Sequence, residues 1–282
     1  MWARRKTGPF PLFDSHVTLE REIMGKLDGK VCLITGCASG LGKQEALRFA
    51  AEGANLVICD VQDEKLAETK RLCEEKGVEC TAVHVDLTSR EDREHFVQVA
   101  ADKYGTIDVL VNNAHYTTPL GPILAKTLDE LELEYKVCIE AYFHLMQLCW
   151  DYMEGHEGYG ASIINFGSKA AREGTIGHGV YATVKAAVGG LTRVAAREFG
   201  PSNIRVNCIM PNGLTENTIE GLKLQSKEIQ EWAQQAFVDN PFGRAGDPYE
   251  DLAPVVVFLA SDDSHWITGA TIHADGGVYI SD

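Results

Sequence analysis

The stretch Val31-Cys32-Leu33-Ile34-Thr35-Gly36-Cys37-Ala38-Ser39-Gly40-Leu41-Gly42 decides the architecture. A short apolar run ends on a glycine-rich turn and passes into a helical pattern from about Leu41 to Glu52. An apolar run without alternation reads as a strand covered on both faces. The same rhythm then repeats. Asn55–Cys59, Glu79–Val85, Val109–Val111, Ser162–Phe166, Arg205–Ile209 and Ala270–Ala274 read as further strands. Helical patterns over Glu64–Lys76, Glu91–Lys103, Leu128–Met153 and Val180–Phe199 fall between them. Such alternation predicts βαβ units, and right-handed crossovers then give an α/β fold with a doubly wound parallel sheet. No linker breaks residues 30–282, which read as a single domain. The Thr215–Asn240 stretch interrupts the rhythm and reads as part of a substrate lid at about 212–242, since inserted segments there commonly close over a site.

Residues 1–29 stand apart as an N-terminal extension. Gly8, Pro9 and Pro11 break its start, and Val17–Leu27 has the pattern of one short amphipathic helix. Phe10, Leu12, Phe13, Leu19, Ile23 and Met24 leave two readings, a frayed tail or a segment docked on the domain or on a partner subunit.

The charge balance narrows the partners. Lys plus Arg is 26 and Asp plus Glu is 41, a net charge of −15 over 282 residues. So acidic a chain is a poor ligand for polyanions, which argues against nucleic acid and anionic membrane. No apolar run approaches the roughly 18 residues of a membrane span. Arg4-Arg5-Lys6 is not followed by the apolar stretch of an export signal. The eight cysteines are scattered, without Cys-x-x-Cys or paired histidine spacing. They read as reduced thiols in a cytoplasm, with no disulfide frame and no metal site.

The chemistry-bearing residues lie where the expected strands end. Gly36, Gly40 and Gly42, with Ser39 and Leu41 between them, let the backbone approach a pyrophosphate at a helix N-terminus. Asp60, ending the second strand, can accept both ribose hydroxyls of an adenosine. It would repel a 2′-phosphate, and no Arg or Lys stands next to it in sequence, so the reading is NAD rather than NADP. Asp86-Leu87 ends the third strand, where the carboxylate reaches an adenine amine or caps the next helix. Tyr181 and Lys185 are four apart on one helical face. An ammonium beside a phenol favours the phenolate, and a tyrosine so placed can exchange a proton with an alcohol oxygen. Ser168 stands thirteen residues before Tyr181, just past a strand end.

Together these motifs resemble the short-chain dehydrogenase/reductase family of the compact type, from about Leu27 to Gly277. Asn112-Asn113-Ala114, Asn203-Ile204-Arg205-Val206-Asn207, Pro211, Ile267-Thr268-Gly269 and Asp275-Gly276-Gly277 extend the likeness. The resemblance implies a Rossmann-like fold, a nicotinamide cofactor, an alcohol or ketone substrate and a homotetramer. It implies Tyr181 as general acid/base, Lys185 as its electrostatic helper and a ligand of the nicotinamide ribose, and Ser168 as a hydrogen-bond partner of the substrate oxygen. Asn113 and Ala114 would line the cofactor cleft, Asp60 would hold the adenosine ribose, and backbone groups after Pro211 would meet the carboxamide.

The chain departs from the family pattern in four places. Cys138 falls where the family often has an asparagine, held by a local kink, that anchors a relay water. His115 follows Asn-Asn-Ala where glycine is usual, and Asn212 follows Pro211 where glycine is usual. The usual threonine beyond is ambiguous between Thr215 and Thr218. Leu214, Ile219, Leu222, Leu224, Trp232 and Phe237 make the lid apolar, suiting a bulky apolar alcohol or ketone. In its many cysteines and its N-terminal extension the chain resembles bacterial hydroxysteroid dehydrogenases, the 20β type among them. The alternatives are a dehydrogenase of another bulky alcohol, terpene or aromatic, and a non-redox relative that uses the cleft for binding or cyclisation.

Overall fold

The computed structural model describes residues 25–223 and 227–280, and the side-chain readings in residues 1–24, at Leu224 and at Trp232 lie outside what it describes. In chain order the elements are β1 (Val31–Thr35), α1 (Gly40–Ala51), β2 (Asn55–Asp60), α2 (Asp63–Glu74), β3 (Cys80–His84), α3 (Arg90–Tyr104) and β4 (Val109–Asn112). Then come α4 (Leu128–Tyr135), α5 (Ala141–Met153), β5 (Ala161–Phe166), the short α6 (Ala170–Glu173), α7 (Gly179–Phe199) and β6 (Ile204–Pro211). The chain continues through α8 (Glu216–Lys223), α9 (Lys227–Val238), α10 (Ala253–Ala260) and β7 (Thr271–Ala274).

Among the described residues seven strands form one sheet in the order β3-β2-β1-β4-β5-β6-β7, and every pairing is parallel. The expected doubly wound architecture is therefore present. Strand order reverses between β1 and β4, and a crevice at such a switch point is where open α/β sheets bind ligands. The sheet is covered on both faces, which is why β1 and β5 are buried along their whole length. On one face Phe49 of α1 packs with Val256, Val257 and Leu259 of α10. On the other, Phe96 of α3 packs with Leu145 and Met146 of α5 and Ala195 of α7. Leu27, at the end of the N-terminal stretch, is fully buried in the first of these layers and donates its N–H to the Glu52 carbonyl at 3.0 Å.

Two regions differ from the pattern expected of the sequence. The single helix expected over Leu128–Met153 is interrupted by a π-helical turn at Lys136–Glu140, between α4 and α5. Arg93 of α3, 2% exposed, reaches that turn and donates to Glu140 Oε1 at 2.7 Å. Within the lid stretch the backbone forms α8 and α9. Thr215 Oγ1 accepts the Thr218 N–H at 3.2 Å and meets the Thr218 hydroxyl at 2.9 Å, so the two threonines share the start of α8.

One buried hydroxyl ties the switch point together. Thr35, 0% exposed, accepts the N–H groups of Asn113 (3.1 Å) and Ala114 (3.0 Å) and donates to the Val111 carbonyl (3.3 Å). Thr35→Val keeps the shape and strands both N–H groups. Each orphaned buried donor costs about 1–3 kcal/mol, so unfolding in urea should reveal a loss of about 2 kcal/mol or more. A loss below about 0.5 kcal/mol would place the support of this turn elsewhere.

Candidate active site

The glycine turn between β1 and α1 is shaped by what it must clear. A Cβ on Gly42 would lie 2.2 Å from the Gly36 carbonyl oxygen, and Gly36 and Gly40 have φ of +77° and +62°. Ser39 at the N-cap of α1 makes no side-chain capping bond to the helix, so its first N–H groups face outward without that partner. Its hydroxyl instead accepts from the Asn217 amide of α8 at 2.8 Å, which brings the lid region onto the turn. A helix start with a glycine cradle and no side-chain cap is suited to a pyrophosphate.

Asn113 pins the glycine turn. Its amide donates to the Thr35 carbonyl at 2.8 Å and the Gly36 carbonyl at 3.4 Å, and the residue is 6% exposed. Ala114 lies beside Gly36, its Cα 2.9 Å from where a Gly36 Cβ would sit.

Asp60 stands at the end of β2 with one carboxylate oxygen accepting the Ala38 N–H (3.0 Å) and the other the Gln62 N–H (3.1 Å). An ionised carboxylate has about four acceptor positions, so roughly two remain. Two lysines lie close to this end of the turn, Lys43 from α1 and Lys65 from α2. A cavity of about 350 Å³ at Ala38 and Ser39 is lined by Lys43 and Lys65, together with Glu64, Glu68, Glu216 and Glu220. Asp86 binds the N–H and hydroxyl of Thr88, each at 2.8 Å, while Ser89 caps α3. Leu87 is buried in the second core layer.

Tyr181 lies in the first turn of α7, and Lys185 one turn further on. Lys185 is 1% exposed, and its Nζ donates to the Phe166 carbonyl at the end of β5 at 2.7 Å. Nζ lies 5.9 Å from the Tyr181 ring centroid. Burial opposes the charge, but Tyr142, Cys138 and Tyr181 around it outweigh that and move the lysine pKa upward. Ser168, two residues past β5, accepts the Ala170 N–H at 3.2 Å. The β5 terminus therefore holds the lysine, and Ser168 follows it by two residues. Pro211 closes β6, and the next residue, Asn212, is 7% exposed with no hydrogen-bond partner on its Nδ2.

Two imidazoles flank the tyrosine, His115 at 6.0 Å and His178 at 5.9 Å between ring centroids. His115 is exposed. Desolvation by the surrounding protein, with the Lys185 charge second, keeps its pKa below the usual imidazole range. Tyr181 and His178 also line a narrow crevice with Thr118, Leu120 and Glu134. Buried Glu134 accepts the Thr118 N–H at 2.8 Å and its hydroxyl at 2.6 Å. These contacts join residues distant in sequence. The spacing between motifs could not announce them.

A family model described as enoyl-(acyl carrier protein) reductase matches residues 36–279. The chain belongs to the short-chain dehydrogenase/reductase family. It is 36% identical over 262 residues to a 12alpha-hydroxysteroid dehydrogenase of a Clostridium species, covering 90% of this chain and 98% of that one. The structure superposes on an NAD+-bound xylitol dehydrogenase with a TM-score of 0.82 at 32% identity, covering 89% of this chain and 100% of the other. L-sorbose reductase from Gluconobacter frateurii, complexed with NADPH and L-sorbose, gives a TM-score of 0.84 at 30% identity, covering 92% and 99%. The chain is thus an oxidoreductase of this family, acting on an alcohol or ketone with a nicotinamide cofactor. The glycine cradle, the helix start without a side-chain cap and the orphaned Asn212 amide fit such a cofactor.

The cradle can be tested directly. Gly42→Ala drives a methyl into the Gly36 carbonyl, so the turn must shift. Fluorescence titration should find NADH and NADPH both bound at least about tenfold more weakly, the loss of roughly one charge-assisted hydrogen bond. Unchanged affinity for both would show that the turn does not seat the phosphates.

Proposed function

We propose that the protein is an NAD(H)-dependent oxidoreductase of bulky apolar secondary alcohols and ketones, a hydroxysteroid being the favoured substrate. The observation that carries the substrate class is the apolar rim by Tyr181. Leu120, Ile123 and Ile176 are 49%, 75% and 95% exposed. The Gly121 N–H, next to Leu120, donates to the Gly177 carbonyl at 3.1 Å, and Gly121 bridges His178. Ile123 lies against Gly179, at the start of the Tyr181 helix. Exposed apolar side chains gathered at a site mark surface that a ligand covers. The Clostridium hydroxysteroid dehydrogenase supports the steroid reading as a relative.

Asp60 supports NAD. Its carboxylate retains acceptor positions for ribose hydroxyls and would repel a 2′-phosphate. Lys43 and Lys65 in the neighbouring cavity are outnumbered there by four glutamates.

When bound, the nicotinamide supplies or takes up the hydride at the reacting carbon. The protein's part is to hold the oxygen and move its proton. Gly36–Gly42 and the α1 N-terminus would seat the pyrophosphate, Asp60 the adenosine ribose, and the backbone after Pro211 the carboxamide. Ser168 would donate a hydrogen bond to the substrate oxygen. Tyr181 would take the alcohol proton during oxidation and return it during reduction. Lys185 would favour the phenolate by its charge and meet the nicotinamide ribose. Asp86 and Leu87 would border the adenine.

Two outcomes are expected. Tyr181→Phe should cut turnover at least about a hundredfold, the size of a general acid/base contribution, while NADH affinity stays within about twofold. Absorbance at the NADH band with a panel of steroids and small ketones measures the first, and fluorescence titration the second. Activity above a few per cent would exclude Tyr181 as the acid/base. Asp60→Ala should weaken NAD binding about ten- to a hundredfold, one to two charge-assisted hydrogen bonds, and narrow the preference over NADP. A wild-type enzyme that works better with NADPH would overturn the cofactor reading.

A further inference from the structure

Lys185 is a cation with almost no access to water, and a buried ammonium needs acceptors for its donors. The Phe166 carbonyl takes one at 2.7 Å. In a second direction lies the hydroxyl oxygen of Tyr142, at a long 3.5 Å. That phenol is 0% exposed and gives its own proton to the Ala114 carbonyl at 3.0 Å. The donation leaves the oxygen's lone pairs for the lysine. Nζ also lies 5.4 Å from the Tyr142 ring centroid and 5.9 Å from that of Tyr181, so the cation sits between two aromatic rings. The π turn at Lys136–Glu140 precedes α5 and sets the azimuth of Tyr142, since one added residue rotates a helix by about 100°.

We propose that Tyr142 is a positioning residue for the reaction: its hydroxyl bridges the Lys185 ammonium and the Ala114 carbonyl and fixes the lysine beside Tyr181. The inference rests on the reading of Tyr181 and Lys185 given above. The titratable groups around Lys185 are Tyr142 on α5, Cys138 on the π turn, Tyr181 on α7, His115 after β4 and Cys208 on β6. Cys138 offers only a weakly bonding thiol, and the lysine charge disfavours a charged His115. Burial holds the Tyr142 hydroxyl in its neutral form, the form that both accepts and donates. Polar support behind the lysine thus comes from a protein hydroxyl, on the residue four positions after Cys138.

Tyr142→Phe leaves the ring in its slot and removes only the oxygen. The experiment is 15N NMR of lysine ammonium groups in the full-length protein, with the Lys185 signal assigned by its absence in Lys185→Met. A held ammonium should appear as a protected signal in the wild type. In Tyr142→Phe it should shift, and its hydrogen exchange should quicken about three- to tenfold, the worth of one such hydrogen bond. With any alcohol that the wild type oxidises, kcat should fall by the same factor while KM stays within about twofold. A wild-type spectrum without a protected Lys185 ammonium overturns the proposal, as does a Tyr142→Phe signal with unchanged position and exchange. Failure of the wild type to turn over any alcohol or ketone would count against the proposed function, and the ammonium spectra would still decide the role of Tyr142.

Discussion

A buried ammonium organises this molecule. Lys185 lies inside the protein with its charge directed at the Phe166 carbonyl, the last residue of a fully buried strand. Removing such a charge from water is costly unless fixed dipoles replace the solvent. The position of α7 relative to the end of β5 is therefore set by electrostatics as well as by packing. Because Tyr181 rides on α7 one turn earlier, the same constraint places the phenol.

The other half of the cleft is set by a neutral network. Thr35 collects two N–H groups from the chain after β4, and Asn113 returns two hydrogen bonds to the glycine turn. β1 and β4 are neighbours across the point where the sheet reverses its winding order. A crevice opens there because successive crossovers leave in opposite directions. The Thr35–Asn113 bonds keep its lip from spreading. Tyr142 links the halves, touching Ala114 on one side and Lys185 on the other.

Much of this was legible in the sequence because it depends on local pattern. Strands buried on both faces are unalternated apolar runs, and the parallel sheet followed from their alternation with helices. Tyr181 and Lys185 share a helical face by spacing alone, and the glycine turn between a strand and a helix is readable as a tight backbone crossing. What stayed hidden depends on contacts between distant residues or on register. The π turn at Lys136–Glu140 leaves no compositional mark, because one widened turn needs no unusual residue, and only the family resemblance points to a kink at Cys138. Tyr142 reads as a core aromatic until the fold carries it to a lysine 43 positions away. Asp60 has no adjacent basic residue, yet the fold brings Lys43 of α1 to the cavity at Ala38, whose N–H it accepts. The Asn113 amide donates to the backbone of the glycine turn, a direction that sequence does not encode.

All eight cysteines of the chain are buried, and burial raises the thiol pKa of Cys32, Cys37, Cys59, Cys149 and Cys208. A thiol reagent acts on the exposed thiolate, so the native protein withholds these sulfurs from it. Five of them lie on five different elements: Cys32 on β1, Cys59 on β2, Cys80 on β3, Cys149 on α5 and Cys208 on β6. The chain consequently carries an internal set of clocks. The rate at which each sulfur becomes labelled reads the opening free energy of its own element, strand by strand, without a foreign probe in the core.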